Sequence, residues 1–140
     1  MTRFAVDASV ALAWCFEDET DSYAESVLRA IPGRRIVVPT HWVLEVANGL
    51  LMAERRGRTT LADTARAIQL LEGLPIDIDA RTPERAMSAT CSLARSHKLT
   101  IYDAAYLELC TREALPLATI DSELLAACKA CGGASFNPLT

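Results

Sequence analysis

The sequence predicts an α/β protein built on a short, mainly parallel central sheet. Short β-branched or alternating apolar segments recur along its 140 residues, and segments with apolar residues at helical spacing separate them. Parallel neighbours in a sheet require crossover connections, which helices usually supply, so this alternation favours a sheet covered by helices on both faces. The length is typical of a single domain, and we expect residues 1–140 to form one.

The first half of the chain predicts two strands and four helices. The capping-box pattern Ser22-x-x-Glu25 indicates one helix start. Gly57 and Gly73 are stop signals for the two later helices. In chain order, the predictions are a strand over residues 3–7, helices over 8–16 and 22–30, a strand over 36–38, and helices over 41–56 and 60–73.

The second half predicts a further strand, three helices and two short strands. Thr82 and Pro83 indicate the N-cap and the first position of a long helix. The period-two alternation of residues 76–79 places Asp77 and Asp79 on one solvent-exposed face rather than in a metal-binding pair. In chain order, the predictions are a strand over 76–79, helices over 82–97 and 100–115, a strand over 117–119, a helix over 121–131 and an edge strand over 134–136.

Charge and hydropathy exclude some classes of protein. With 18 acidic and 14 basic residues the formal net charge is -4, which disfavours a protein that coats nucleic acid with a broad basic surface. Twelve of the 14 bases are arginine, so a local positive rim could still accompany an acidic centre. No apolar run reaches the roughly 18 residues that a membrane span needs, and Asp7 interrupts any signal-peptide core, so we expect a cytoplasmic protein without membrane contact.

The cysteines favour reduced, buried thiols over a disulfide framework. Their number is odd, and most of them lie within helix-like apolar patterns. Cys128 and Cys131 form a C-x-x-C pair, but the sequence offers no second close pair to complete a four-ligand zinc site. The five are Cys15, Cys91, Cys110, Cys128 and Cys131.

Two acids lie where a parallel sheet collects functional groups, and a third stands at a predicted helix start. Asp7 and Asp121 follow predicted strands, and ligands of such sheets gather at the carboxyl ends of strands. Each also has a structural explanation, because Asp is a favoured N-cap and both precede predicted helices. Asp103 completes the pattern Thr100-x-x-Asp103, which is also typical of a helix start. The residues alone leave both interpretations open.

Glu45 is a fourth candidate. A helical wheel places it and Asn48 on a flank opposite the apolar side, which we predict to consist of Val43, Val46, Ala47, Leu50 and Leu51. Because apolar residues also border this flank, a carboxylate there calls for a positive partner. We expect His41 and His97 to be structural or surface residues, and no Ser-His or Cys-His nucleophile pair is evident.

Four ordered motifs carry a resemblance that spans nearly the whole chain. Together they resemble the motifs of PIN-domain ribonucleases, and most closely those of the VapC-type toxins of bacterial toxin-antitoxin modules. The motifs are Phe4-Ala5-Val6-Asp7-Ala8-Ser9-Val10, Val43-Leu44-Glu45-Val46-Ala47-Asn48, Leu99-Thr100-Ile101-Tyr102-Asp103-Ala104-Ala105-Tyr106 and Leu117-Ala118-Thr119-Ile120-Asp121.

The resemblance implies a three-layer α/β/α PIN-like fold with a metal site. The implied catalytic and metal-ligating residues are Asp7, Glu45, Asp103 and Asp121. The implied supporting residues are Ser9, Asn48 and Thr119. One or two Mg²⁺ or Mn²⁺ ions suit this set, since both are hard cations that prefer carboxylate oxygens.

The function implied is that of a metal-dependent endoribonuclease, the toxin of a type II toxin-antitoxin system, acting on single-stranded RNA. The same resemblance implies a homodimer and a cognate VapB-type antitoxin. Trp14, Trp42, Leu44 and Met52 could line an apolar groove for that partner, with core packing as the alternative. A non-catalytic RNA-binding or assembly module is the second hypothesis. A phospho-accepting signalling module fits poorly, because it needs paired acids near the first strand and a strand-end lysine.

Overall fold

The computed structural model describes residues 2–140. Its centre is one four-stranded sheet in the order β3-β2-β1-β4, and every neighbouring pair is parallel. Helices flank the sheet, which confirms the predicted α/β class. The strands are β1 (Thr2–Val6), β2 (Arg34–Pro39), β3 (Ile76–Asp79) and β4 (Leu117–Ala118).

Eight α-helices are assigned within residues 2–140. Helix α1 packs against α2, α3 and α4, whereas α7 packs against α6, α8 and β2. The central strands are the most buried part of the core, and Phe136 stacks on Phe4 with ring centroids 3.9 Å apart. The helices are α1 (Ala8–Cys15), α2 (Ser22–Arg29), α3 (Trp42–Arg55), α4 (Leu61–Glu72), α5 (Thr82–Arg85), α6 (Cys91–His97), α7 (Ile101–Glu113) and α8 (Ser122–Ala130).

The pairing of β1 with β4 determines what meets at the carboxyl edge of the sheet. Val6 is in register with Ala118, and the backbone N–H of Asp7 donates to the carbonyl of Ala118 at 3.1 Å. The residues that follow both strands are therefore brought side by side. Asp7 and Thr119 occupy these positions.

Two predicted helix caps were wrong, although both helices begin where expected, at Ser22 and Thr82. Asp21, not Ser22, caps α2, because its carboxylate accepts the backbone N–H of Ala24 at 2.8 Å. Thr82 does not cap its helix; its hydroxyl donates to the backbone carbonyl of Asp79 at 3.0 Å. The predicted helix over 82–97 is also interrupted, since Ala86–Thr90 form a π-helical turn between α5 and α6.

The predicted exposure of β3 was half wrong. Asp77 is exposed and pairs with Arg35 across the sheet at 2.7 Å. Asp79 is turned inward and pairs with the buried Arg112 of α7 at 2.5 Å. Burial of the Asp79 carboxylate is favourable because the cation of Arg112 pairs with it. The period-two pattern of β3 contains no information about a residue so distant in sequence. Ile78 is exposed instead.

The buried side of α3 also differs from the predicted one. Val46 and Leu50 are buried as expected, whereas Val43 and Leu51 are exposed by 45% and 43%. Of the aromatic candidates, Trp42 lies in the core. The last predicted strand is reduced to one isolated bridge between Leu117 and Ser135. Among residues 2–140, no helix combines the length and apolar character that crossing a membrane requires.

Candidate functional site

Asp7 is a nearly buried carboxylate at the end of β1, with 5% of its surface exposed. The hydroxyls of Ser9 and Thr119 donate to its two oxygens, Oδ1 and Oδ2, at 2.6 Å each. Oδ1 also accepts the backbone N–H of Val10 at 3.2 Å, so the predicted N-cap role is confirmed. Burial raises the pKa of Asp7, and the hydrogen bonds from Ser9 and Thr119 partly oppose that rise.

These contacts leave Asp7 with little free acceptor capacity. An ionised carboxylate offers about four lone-pair sites. Ser9 and Val10 take two of them on Oδ1, and Thr119 takes one on Oδ2. The remaining site is on Oδ2, which suits a single bond to a further ligand.

The two hydroxyls extend this network to the end of β4. Thr119 Oγ1 accepts the backbone N–H of Asp121 at 3.0 Å, and Ser9 Oγ accepts that of Ile120 at 3.2 Å. Asp121 in turn caps α8, since its Oδ1 accepts the N–H of Glu123 at 3.0 Å. Ser9 and Thr119 therefore join the loops after β1 and β4 and hold Asp7 between them.

Asp103 lies in the first turn of α7. The hydroxyl of Thr100 accepts its backbone N–H at 3.2 Å, so the predicted cap is present and the Asp103 carboxylate is not needed for it. Burial raises the pKa of Asp103, and the charge of Asp121 adds to that rise. The charge of Asp121 likewise raises the pKa of Asp7. Three of the four predicted acids thus share one electrostatic environment.

Glu45 lies on α3 and is held by aromatic and imidazole groups. The phenol of Tyr106 donates to Glu45 Oε1 at 2.5 Å. His41, one turn earlier on the chain, places Nε2 3.5 Å from the same oxygen and 2.9 Å from the carbonyl of Tyr102. Burial raises the pKa of Tyr106, and the charges of Glu45 and Asp7 raise it further. Tyr106 therefore links Glu45 electrostatically to the Asp7 side of the site.

In the part of the chain that the structure describes, no arginine or lysine pairs with the acids at this edge. Within residues 2–140, every ion pair that an arginine makes is to an acid other than these four, and only His41 lies near one of them. In the same range, no three His, Cys, Asp or Glu side chains already stand in an arrangement that could hold a metal ion. The four carboxylates therefore lack a guanidinium or ammonium partner and do not already form a metal-ligand cluster within residues 2–140.

The residues nevertheless fit a hard divalent cation. Mg²⁺ and Mn²⁺ prefer carboxylate and water oxygens, and Mg²⁺ usually takes only one or two carboxylates directly. Asp7 offers one free site on a buried carboxylate, and Asp103 and Asp121 add charge that no guanidinium or ammonium within residues 2–140 neutralises. A buried charge of this kind is costly unless it is paired or binds a metal. Asp7, Asp103 and Asp121 are the residues that would hold the ion.

Sequence reasoning missed the role of two residues that hold Glu45 in this site, His41 and Tyr106. His41 was predicted to be a structural or surface residue, and its side chain is only 18% exposed and faces Glu45. Their spacings, four residues from His41 to Glu45 and three from Asp103 to Tyr106, are those of neighbours on one helix face and could have identified both. Asn48, a predicted supporting residue, is exposed.

The five cysteines are free, as predicted, but only Cys110 and Cys128 are buried and the other three are half-buried. One contact was not foreseen: Cys131 Sγ lies 3.1 Å from Nε2 of His97. A Cys-His pair therefore exists, contrary to the sequence-based expectation. It joins the ends of α6 and α8 and includes none of the four acids.

Solved structures share this architecture. A protein of Pyrobaculum aerophilum, PAE2754, matches with a TM-score of 0.68 and 25% identity, over 96% of this chain and 83% of that one. VapC20 of Mycobacterium tuberculosis, described as a toxin that cleaves the sarcin-ricin loop, matches with a TM-score of 0.59 and 16% identity, over 89% and 94%. The latter likeness is one of fold alone.

Sequence comparisons identify the family directly. Among curated proteins, none matches this chain. The family model described as the PIN domain matches residues 4–130, which include all four acids and the sheet apart from the first two residues of β1. The chain therefore belongs to the PIN domain family.

Proposed function

We propose that this chain is a divalent-metal-dependent endoribonuclease that acts in the cytoplasm as the toxin of a type II toxin-antitoxin system. The observation that carries the proposal is the buried Asp7 carboxylate, locked by two hydroxyls and flanked by the uncompensated charges of Asp103 and Asp121. PIN domains are generally nucleases and typically use divalent metal ions. The fold likeness to VapC20, a toxin that cleaves the sarcin-ricin loop, is consistent with this class.

Each residue has a defined task in this proposal. Ser9 and Thr119 fix the orientation of Asp7, so that only one lone-pair site of its Oδ2 remains open. Asp103 and Asp121 contribute the negative charge that attracts one or two cations. When bound, Mg²⁺ or Mn²⁺ would supply Lewis-acid stabilisation of the charge that develops on a scissile phosphate. Glu45 lies beside Tyr106 and His41 as the fourth acid, available for direct or water-mediated contact.

The substrate we propose is single-stranded RNA, cut by water rather than by the ribose 2′-hydroxyl. Purified protein should cleave RNA with Mg²⁺ or Mn²⁺ and leave 5′-phosphate and 3′-hydroxyl ends. EDTA should stop cleavage. Cyclic phosphate ends, or cleavage that EDTA does not reduce, would contradict the mechanism.

The Cys131 and His97 pair provides an internal control for this experiment. If the acidic site performs the reaction, Cys131→Ser should cleave RNA at the wild-type rate. Asp103→Asn should be inactive under the same conditions. The opposite result would indicate that the Cys131 thiol and the His97 imidazole perform the reaction.

We propose a VapB-type antitoxin and a second copy of the chain as partners. A groove of about 440 Å³ lies between α3, α4 and the edge strand β3, and apolar side chains dominate it. Its walls include the exposed side chains of Val43, Leu51 and Ile78. An antitoxin segment with an apolar face would fill this groove, and an arginine from it could pair with the free acids.

Co-expression with the neighbouring reading frame tests the partner proposal. We expect a stable complex that does not cleave RNA, and toxicity when this chain is induced alone. A chain that stays monomeric, binds no neighbour and harms no host would contradict it.

A further inference from the structure

Tyr106 is the most buried polar group near the acids, with 1% of its surface exposed. It lies on α7, one turn after Asp103. Its phenol donates to Glu45 Oε1 at 2.5 Å, across 61 residues of sequence. Tyr106 thus joins the helix that carries Asp103 to the helix that carries Glu45.

The hydrogen-bond acceptor of Tyr106 differs from the one that an ordinary buried phenol needs. A buried phenol needs one acceptor, and a backbone carbonyl is enough: Tyr23 donates to the carbonyl of Phe136 at 2.7 Å. Tyr106 instead uses an ionisable carboxylate, which must lose part of its hydration to reach it. Hydrogen bonds to a charged acceptor are shorter and stronger than neutral ones, which agrees with the 2.5 Å contact.

The contact with Tyr106 gives the two carboxylate oxygens of Glu45 different environments. Oε1 is held by Tyr106, with His41 Nε2 at 3.5 Å. Within residues 2–140, Oε2 has no hydrogen-bond partner from the protein. Asp7 is divided less completely, because Oδ1 is fully used, whereas Oδ2 accepts the Thr119 hydroxyl and retains one free site. Both carboxylates are therefore anchored by the protein and keep acceptor capacity on one oxygen, Oε2 of Glu45 and Oδ2 of Asp7.

We propose that Tyr106 is a positioning residue that holds Glu45 by Oε1 and thereby presents Oε2 to the cation and water of the site. The inference rests on the proposed metal-dependent function. Tyr106 is too buried to touch RNA, so it acts through Glu45. Outer partners of this kind orient metal-binding carboxylates, and losing one typically costs 10- to 100-fold in metal affinity.

A double-mutant cycle on Mn²⁺ affinity tests the proposal without RNA. The dissociation constant of Mn²⁺ would be measured by electron paramagnetic resonance for wild type, Tyr106→Phe, Glu45→Ala and the double variant. We expect Tyr106→Phe to weaken Mn²⁺ binding about tenfold. Because the effect passes through Glu45, Tyr106→Phe should cause no further loss in the Glu45→Ala background.

Tyr23→Phe is the matched control. It also removes one part-buried phenol hydrogen bond, but to a backbone carbonyl. It should lose a similar amount of thermal stability and keep wild-type Mn²⁺ affinity. A merely structural role of Tyr106 predicts that the two Phe variants behave alike, and that result would overturn the proposal.

Crystal structures provide a readout that needs no metal. In metal-free Tyr106→Phe, the Glu45 carboxylate should leave its present position, and an unchanged position would overturn the proposal. If Tyr106→Phe does not fold, Glu45→Gln replaces it. Its amide oxygen should remain on the Tyr106 phenol, and an amide turned away from that phenol would contradict the positioning role.

The outcomes separate this inference from the proposed function. A protein that binds Mn²⁺ with the expected coupling but cleaves no RNA would contradict only the nuclease proposal. A metal-dependent nuclease whose Tyr106→Phe variant keeps its Mn²⁺ affinity would contradict only the positioning role. A wild-type protein that binds no Mn²⁺ would contradict both.

Discussion

Thr119 donates a hydrogen bond from its hydroxyl to Oδ2 of Asp7 at 2.6 Å, across 112 residues of sequence. The same hydroxyl oxygen accepts the backbone N–H of Asp121 at 3.0 Å. One side chain therefore fixes the rotamer of Asp7 and the start of the loop that carries Asp121. The contact exists because β1 and β4 are parallel neighbours whose ends coincide.

Thr119→Val should impair metal binding more than folding. The substitution keeps the shape but removes both hydrogen bonds of the hydroxyl, and Asp7 loses one of the contacts that orient it. We expect Mn²⁺ affinity and RNA cleavage to fall at least about tenfold. Thr111→Val, which loses a hydroxyl bonded only to its own helix at Leu107, is the control and should retain both. Equal activity of the two variants would contradict the role of Thr119.

Asp103→Asn should abolish cleavage and make the metal-free protein less sensitive to rising pH. Burial and the charge of Asp121 raise the pKa of Asp103 above its ordinary 3.8. The folded state therefore favours the protonated carboxyl, and wild type loses stability as pH rises through that raised pKa. In EDTA, the stability advantage of Asp103→Asn should be near zero below pH 3.8 and grow towards neutral pH.

Urea unfolding in EDTA between pH 3 and 7 measures this difference directly. The acids whose pKa is lowered, such as Asp63 and Asp77, destabilise both proteins equally as pH falls and cancel in the comparison. Added Mn²⁺ should stabilise wild type more than the variant, because only wild type retains the full set of acids. A stability difference independent of pH would count against this electrostatic account.

Asp7→Asn should also abolish cleavage, and it should have two opposing effects on the free energy of unfolding. An amide nitrogen cannot accept the hydrogen bonds that Ser9, Val10 and Thr119 now donate, so one donor loses its acceptor at a cost of about 1 kcal/mol. Removing a buried charge offsets part of this cost. The free energy of unfolding in EDTA should change by about 1 kcal/mol or less. A loss of several kcal/mol would indicate that Asp7 is mainly a structural cap.

Arg112→Met should destabilise the fold. Arg112 pairs with Asp79 at 2.5 Å and with Glu108 at 2.9 Å, and no side chain of the three is more than 11% exposed. Burial raises the pKa of Asp79, but hydrogen bonds to Arg112 and other groups outweigh it and lower the pKa overall. Removing the cation leaves Asp79 without its arginine and Glu108 with only Arg85, whose Nε lies 3.7 Å away, and breaking a buried pair typically costs about 3–5 kcal/mol.

Arg35→Met is the matched control for this ion-pair network. Its pair with Asp77 is exposed at both ends, and the substitution should change the free energy of unfolding little. Chemical denaturation measures both variants. Cleavage per folded molecule should be unchanged in each, because neither arginine contacts the four acids.

Leu51→Glu should reduce binding of the proposed antitoxin without affecting the fold. Leu51 lines the apolar groove and is 43% exposed, so a charge there is tolerated in the free chain but opposes an apolar partner. Leu61→Glu is the control, since Leu61 is 77% exposed and outside the groove. Co-purification should be lost only for Leu51→Glu. Equal retention by both variants would exclude this groove as the docking surface.

Local patterns in the sequence determined most of the elements and the nature of the site. The alternation of strands and helices predicted the parallel sheet, and the strand ends located Asp7 and Asp121. Thr100 caps α7 as its spacing predicts. These features depend on backbone hydrogen bonds within a few residues, so a short segment contains the information.

Only the tertiary structure decided which side chains meet. Thr119 reaches Asp7, Tyr106 reaches Glu45 and Arg112 reaches Asp79 from elements that are distant in sequence. Their energies come from desolvation and from partners that the fold brings together, which no local period encodes. For the same reason Asp79 is buried against the expectation for its strand, and His41 faces a carboxylate rather than solvent. The sequence identified the four acids as candidate ligands, but long-range packing determines which of their oxygens remain free for a cation.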